Sequence, residues 1–466
     1  MSLLKTLRDN LPEVVSPSQK RLPFKERLTW TLIVLIAFFI LGLIPLFGLG
    51  ENQLQQFEFL SVILGAEFGS LISLGIGPLV TASIVLQLLN GSGIVRFDLT
   101  SPEGKKNFHA TQKLLGIFFI IFEAAIYVFM GGLAPSPEFT GSKFFTLQML
   151  LIFQICLGGF LIMFMDEVCS KWGFGSGISL FIAAGVSKHI FIRAFSFLPS
   201  PTNPNIASGA IPALFQSLAN GDPSTALLML SSIASTLVIF VLAVYIQSMK
   251  IEIPLSFGRI RGYGMRWPLN FVYTSNIPVI LVSALIANIH LWARLLQNWG
   301  YPLLGTFVGN SPASGFVYWL NAPNLIGTMI KQGTFLVGWD VLGQSLFYLL
   351  FMIVGCVVFS IFWVQTSGTD AKSQAKQIIA SGLQIPGFRR DERILESILN
   401  RYINPLTVLG AIAVGILAAG ADLSGALSQG TGILLTVMII YRLYEDISKH
   451  YMMDMNPMMR KFMGGQ

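Results

Sequence analysis

Apolar residues in this chain gather in long runs, unlike the alternation of a half-buried strand or the one-sided stripe of a soluble amphipathic helix. Ten such runs recur, at 28–49, 76–90, 112–133, 144–165, 175–195, 225–249, 270–293, 341–364, 403–421 and 429–445. About 20 apolar residues are what an α-helix needs to cross roughly 30 Å of hydrocarbon. The pattern therefore predicts ten membrane-crossing helices, and an even number returns both termini to one face. A further apolar stretch, Phe57 to Leu74, is interrupted by Glu58, Glu67 and glycines. It is too broken to span and reads as a short helix re-entering the membrane plane, which is tolerated only where protein buries it or where it lines a cavity.

Composition agrees with this pattern. Of 466 residues, 53% are apolar and 11% charged, and mean hydropathy is +0.68; soluble domains carry about 25% charged residues. A water-soluble globule is excluded. Charge then orients the chain, because Lys and Arg collect on the cytoplasmic side of a membrane protein. The termini and the loops after the second, fourth, sixth and eighth spans, together with Lys113 and Arg442 at the inner ends of their spans, hold 25 of the 30 Lys and Arg, which places both termini in the cytoplasm. The four histidines, His109, His189, His290 and His450, are widely scattered, and neither metal nor cofactor is expected. Cys156, Cys169 and Cys356 read as packing residues.

Five spans per half make the second half enter from the opposite face, so an internal repeat must be inverted. One is visible. The second span reads GIGPLVTASIVLQLL from Gly75 and the seventh SNIPVILVSALIANI from Ser275, aligning Pro78 with Pro278 and Ser83 with Ser283. The fifth opens GSGISLFI at Gly175 and the tenth GTGILLTV at Gly430. Paired Gly/Pro-interrupted spans point to a pathway where the two halves meet. Residues just after each interruption are Ile76, Val80, Ile178, Ile182, Ile280 and Leu435, all aliphatic. An ion or solute site needs converging polar groups, which this set lacks; it can exclude water and still yield around an extended or apolar guest. Polar residues within spans are costly and informative. Thr81, Gln87, Glu123 and Asn288 could form a hydrogen-bonded cluster joining the second, third and seventh spans, with contacts worth only about 0.6–2 kcal/mol each.

The chain resembles the SecY family, the pore-forming subunit of the protein-translocation channel, in its archaeal and eukaryotic branch. The stretches IPLFGLGENQLQQFEF, LGIGPLVTASIVLQLLNGSGI, DEVCSKWGFGSGISLFIAAGVS, IEIPLSFGRIRG, FVYTSNIPVILVSALIANI, IFWVQTSGTDAKSQAKQI and QGTGILLTV carry the resemblance over essentially the whole length. It implies an all-α polytopic membrane protein, with ten transmembrane helices in two inverted five-helix halves around a central hourglass pore.

The implied domains are a cytoplasmic amphipathic segment 1–27, a first half 28–195, an external hinge 196–224, a second half 225–445 and a cytoplasmic tail 446–466. The second half holds an external loop 295–340 and cytoplasmic loops 250–269 and 365–402. The resemblance makes Ile76, Val80, Ile178, Ile182, Ile280 and Leu435 the pore ring. It makes residues 57–71 a plug helix, with Phe57, Leu60, Ile63, Leu64, Phe68 and Leu71 as its apolar positions. Thr81, Gln87, Glu123 and Asn288 become the polar cluster of a lateral gate, and Arg259, Arg261, Arg389 and Arg390 lie on loops that dock a ribosome through its RNA. Implied partners are SecE/gamma-type and beta-type small membrane subunits, the ribosome, signal sequences and nascent polypeptides, and the lipid bilayer. The implied setting is the plasma membrane of an archaeon. A secondary solute transporter shares inverted repeats and is the alternative, but it needs binding groups near mid-membrane. An enzyme is not expected, since GFGSGIS misses the GxSxG spacing and no Walker A pattern occurs.

Overall fold

A computed structural model describes residues 11–19, 22–52, 66–91, 94–95, 97, 101–136, 139, 141–200, 206–257, 264–308, 311–333, 338–380, 383–384, 391–428 and 430–455. Ten helices correspond to the ten apolar runs. In the first half they are α1 (Phe24–Leu43), α2 (Gly77–Gly91), α3 (Pro102–Phe129), α4 (Ser142–Trp172) and α5 (Gly177–Phe195). A short α6 (Ala210–Ala219) leads to α7 (Pro223–Ser248), followed by α8 (Ile277–Asn298). Two more short helices, α9 (Phe316–Trp319) and α10 (Leu325–Gln332), precede α11 (Trp339–Ser367). After α12 (Ala371–Ala380) come α13 (Glu392–Leu423) and α14 (Gly430–Met455). Eight of these, α1, α3, α4, α5, α7, α8, α11 and α13, are long and apolar enough to span on their own. Of the other two, α2 has only 15 residues, about 22 Å at 1.5 Å per residue, and α14 turns polar in its second half.

Several edges differ from the apolar runs for local reasons. The first run extends to 49, but α1 stops at Leu43 because Ile44, which precedes Pro45, is pushed to extended backbone (φ −83°, ψ 108°). The third helix starts ten residues early, where the Ser101 hydroxyl accepts from the Gly104 N–H at 3.0 Å. Asp391 caps α13 in the same way, accepting from the Arg393 N–H at 2.9 Å. The seventh run opens at 270, whereas α8 begins at Ile277 because strand and turn occupy the residues before it.

The loops carry structure that the hydrophobic pattern concealed. Strands β1 (Leu49–Asn52) and β2 (Leu133–Pro135) pair on the side opposite the start of α1. In loop 250–269, β3 (Lys250–Phe257) and β4 (Gly264–Asn270) form a hairpin with Ile251 opposite Leu269 and Ile253 opposite Trp267. Loop 365–402 joins it: β7 (Leu383–Gln384) pairs with the end of β3, while Ile253 and Leu269 share a core with Ala375 and Ile378 of α12 and Leu395 and Leu399 of α13. The two loops are thus one platform. Loop 295–340 contains β5 (Phe307–Val308) paired with β6 (Ser311–Pro312) as well as α9 and α10. In segment 196–224, Pro199 bridges Ala207 and α6 follows. Asp222 then caps α7, accepting from the Thr225 hydroxyl at 2.6 Å and the Ser224 hydroxyl at 2.7 Å; these bonds hold its carboxyl down to about 2.

The repeat is written in the backbone. Gly75 (φ +55°) and Ser275 (φ +56°) both take the left-handed conformation immediately ahead of α2 and α8, and Ser275 is the one such non-glycine among the described residues. The Gly75 N–H reaches the Ile72 carbonyl at 2.9 Å, and the Ser275 N–H reaches Val272 at 3.1 Å. Val80 then bonds Ile76, and Ile280 bonds Asn276, each at 3.1 Å. Across the halves, α5 packs on α14, α1 on α14, and α2 on both α8 and α11. Close approach depends on glycine at Gly158 of α4, where an added Cβ would lie 1.7 Å from the Leu71 carbonyl oxygen.

Gly158→Ala should therefore cost about 1–3 kcal/mol through overpacking. Gly420→Ala, at a helical position with nothing within 4 Å of a new Cβ, should be neutral or stabilise by up to about 1 kcal/mol. Melting temperatures of the two variants in detergent, compared with the parent, measure both.

Candidate functional site

The six aliphatic residues converge. Ile76 precedes α2 and Val80 lies in its first turn; Ile178 and Ile182 stand on α5, Ile280 on α8 and Leu435 on α14. Ile76, Val80, Ile182, Ile280 and Leu435 belong to one buried cluster, none more than 7% exposed, and Ile178 packs against it. That cluster draws on both halves. It takes in Val34 and Phe38 of α1, Met352 and Cys356 of α11, and Ala411 and Val414 of α13. Cys156, Cys169 and Cys356 are free and buried.

The segment ahead of α2 departs from expectation. Phe57, Leu60, Ile63 and Leu64 lie outside the described residues. Phe68 and Leu71 do not continue a helix; residues 68–76 run as successive turns. The reason is local chemistry: Gly69 sits at φ +94° and Gly75 at φ +55°, and the Ser70 hydroxyl donates to the Glu67 carbonyl at 2.7 Å. This segment is pinned to its surroundings. Leu46 N–H donates to the Gly69 carbonyl and Leu71 N–H to the Ile44 carbonyl, each at 2.9 Å. Phe68 packs on a core shared by α3, α4 and α8, and Lys188 of α5 pairs with Glu67.

The polar residues divide into two chains of contacts. Asn288 of α8 donates to the Thr81 hydroxyl at 2.9 Å, and that hydroxyl lies 3.1 Å from Glu123 Oε1 on α3, so three helices from both halves meet at one oxygen. Gln87 is not in this group. Its amide donates to Ser83 at 3.1 Å, and Gln112 of α3 donates to the same hydroxyl at 3.2 Å, binding α2 to α3. Gln112 was not singled out in the sequence, although it stands eleven residues before Glu123, about three helical turns along α3. Glu123 Oε2 and Gln87 Oε1 are buried without a hydrogen-bond partner. A buried polar cluster left partly unsatisfied binds its helices weakly.

The halves also meet away from these chains. At one end, Arg27 of α1 donates to His450 Nε2 at 3.1 Å while His450 Nδ1 faces the Asp446 carbonyl at 2.8 Å. The arginine can only donate, so the imidazole accepts at Nε2 and carries its proton on Nδ1. Phe174 stacks edge-on against His450 and Phe24 against Tyr451. At the other end, Arg193 of α5 donates to the Leu427 carbonyl at 3.4 Å. Among the basic loop residues, Arg259, Arg261, Arg389 and Arg390 lie outside the described residues; their stems are the joined strands β3, β4 and β7.

The known proteins agree on what this arrangement is. A family model for SecY matches residues 70–444. Protein translocase subunit SecY of Methanothermobacter thermautotrophicus is 45% identical over 459 residues, covering 97% of each chain. Its counterpart in Methanocaldococcus jannaschii is 41% identical over 463 residues, covering 99% of this chain and all of its own. Among solved structures, a protein-conducting channel is 40% identical with a TM-score of 0.81 over 97% of this chain and 98% of its own. Sec61 in the canine ribosome–channel complex is likewise 40% identical, with a TM-score of 0.78 over 97% of both chains. Family match, full-length identity and shared fold coincide with a two-half bundle whose seam is aliphatic: the chain belongs to the SecY family.

Proposed function

We propose that this protein is the pore subunit of a protein-conducting channel, sealed at rest by Ile76, Val80, Ile178, Ile182, Ile280 and Leu435 and opened along the face where α2 meets α8 and α11. The observation that carries this reading is the composition of the seam: six aliphatic side chains, on or just ahead of four helices from both halves, in or against one buried cluster. Branched alkyl groups make no directional bonds, so they close on one another without water and part around an extended polypeptide without leaving broken hydrogen bonds behind. Such a lining has nothing with which to hold an ion or a small solute. The chain is a channel subunit and not an enzyme, and any driving energy comes from a partner.

Sideways release into lipid follows from the same seam. The Asn288–Thr81–Glu123 contacts are worth only about 0.6–2 kcal/mol each, so a hydrophobic segment that binds the open gate more tightly than the closed one shifts the balance between them. The plug reading for residues 57–71 is supported by the way residues 66–76 are tied to α4 and α5 beside the cluster.

The protein is a multi-pass membrane protein. Residence in an archaeal plasma membrane with both termini cytoplasmic is supported by the archaeal relatives and by the Lys/Arg distribution. Small SecE/gamma-type and beta-type subunits are reasonable neighbours for the little-buried helices α1 and α7. Ribosome docking at Arg259, Arg261, Arg389 and Arg390 is supported by the merging of loops 250–269 and 365–402 into one basic platform, and by the ribosome-bound state of the canine relative.

Replacing Ile76→Asn together with Ile280→Asn should make the resting channel conduct ions. Planar-bilayer recording measures this, and unchanged conductance would count against the ring. Joining α2 to α8 with a short bifunctional thiol reagent, through Thr81→Cys and Asn288→Cys in a background lacking the three native cysteines, should arrest export of a secretory precursor into proteoliposomes. Full transport by the joined protein would rule out opening along this face.

A further inference from the structure

Two carboxylates that the pore reading leaves without a task occupy matching places in the inverted repeat. Asp166 lies near the end of α4, ten residues before Ser176; Asp422 lies at the end of α13, nine residues before Thr431. Ser176 and Thr431 are themselves equivalent in GSGI and GTGI. Asp166 Oδ1 accepts from the Ile178 N–H at 3.0 Å and lies 3.4 Å from the Ser176 hydroxyl, which can also donate to it. Asp422 Oδ1 accepts from the Thr431 N–H at 2.8 Å, and its Oδ2 accepts from the Thr431 hydroxyl and from the Tyr348 hydroxyl, the latter at 2.6 Å. The approach is tight on both sides. A Cβ on Gly177 would lie 2.6 Å from Asp166 Cα, and one on Gly430 would lie 2.0 Å from the Ala421 carbonyl carbon. Since five helices cross between the two junctions, the pair sits at opposite faces of the bundle.

The first N–H groups of a helix have no partner within it. In a membrane, water is scarce for such groups, and a carboxylate at that end also meets the favourable pole of the helix dipole. What these two carboxylates hold is specific. The N–H bound by Asp166 belongs to Ile178, a ring residue, and Ile182 is one turn further along. The N–H bound by Asp422 belongs to Thr431, and Leu435 is likewise one turn further. The two helices then touch, with Gly432 of α14 against Val186 of α5.

We propose that Asp166 and Asp422 are a matched pair of positioning residues that set the height of α5 and α14, and so the level at which Ile178, Ile182 and Leu435 close the ring. This rests on the ring reading given above. Each carboxylate suspends one half's last spanning helix from the helix before it, and the inverted repeat makes the two suspensions pull from opposite faces.

The experiment is resting ion conductance of the full chain in planar bilayers for Asp166→Ala and Asp422→Ala. Conductance is expected to rise at least about fivefold, the shift that roughly 1 kcal/mol of lost support produces. Asp166→Asn and Asp422→Asn, whose amide oxygen still accepts the backbone N–H, should restore most of the seal. Gly50→Ala in the β1–β2 pair, whose Cβ would lie 2.2 Å from the Ser136 nitrogen, outside the buried cluster of the ring, serves as a control for general loosening. If it leaks as much as an alanine variant of equal melting temperature, the positioning role is overturned. Where an alanine variant does not fold, Ser176→Ala and Thr431→Ala remove one contact from each anchor and should still leak measurably; tight channels in both would overturn the proposal. Ile76→Asn with Ile280→Asn is recorded alongside. A leak there with sealed aspartate variants rejects the anchors and keeps the ring, whereas no leak there rejects the ring reading itself.

Discussion

Every helix that begins inside this bundle must find partners for its first N–H groups where water is scarce. The rest of the architecture follows from how that is done. Ahead of α2 and α8 the chain solves it with a left-handed residue and a tight turn, Gly75 bonding Ile72 and Ser275 bonding Val272. Ahead of α5 and α14 it uses a carboxylate from the preceding helix. Both solutions fix where a helix starts, and all four of these helices carry aliphatic residues of the seam.

A second balance sets the strength of that seam. The halves are joined at both ends of the α1, α5 and α14 side, by Arg27 with His450 and by Arg193 with the Leu427 carbonyl. On the α2 and α8 side the junction is Thr81 with Asn288 and Glu123, and two buried acceptors in the neighbouring groups go unsatisfied. Aromatic stacking of Phe174 and Phe24 around His450 and Tyr451 reinforces the first side.

Much of this was legible in the chain. Ten apolar runs became ten helices, because run length and composition report directly on hydrocarbon thickness. The pairing of Pro78 with Pro278 was visible as letters, and the backbone bears it out. Less legible were features whose partners are distant in sequence. The hairpin of β3 and β4 was hidden by Pro254 and Pro268, and its union with α12 and α13 joins segments more than a hundred residues apart. Gln87 looked like part of the cluster with Asn288, but its side chain turns to Ser83 within its own helix. The expected helix through residue 71 gives way to turns, because Gly69, Ser70 and Ser73 compete for backbone bonds that a helix would otherwise make.

The sequence by itself determined the number of spans, their likeness across the two halves and the aliphatic character of the seam, since periodicity, length and composition are local properties. Only the tertiary structure decided which polar groups meet. Thr81 lies between Glu123 and Asn288, Asp166 reaches Ile178 and Asp422 reaches Thr431, because hydrogen bonds of about 3 Å depend on how helices are set against one another. A buried carboxylate in the sequence is only a cost; its partner, and hence its task, is fixed by packing.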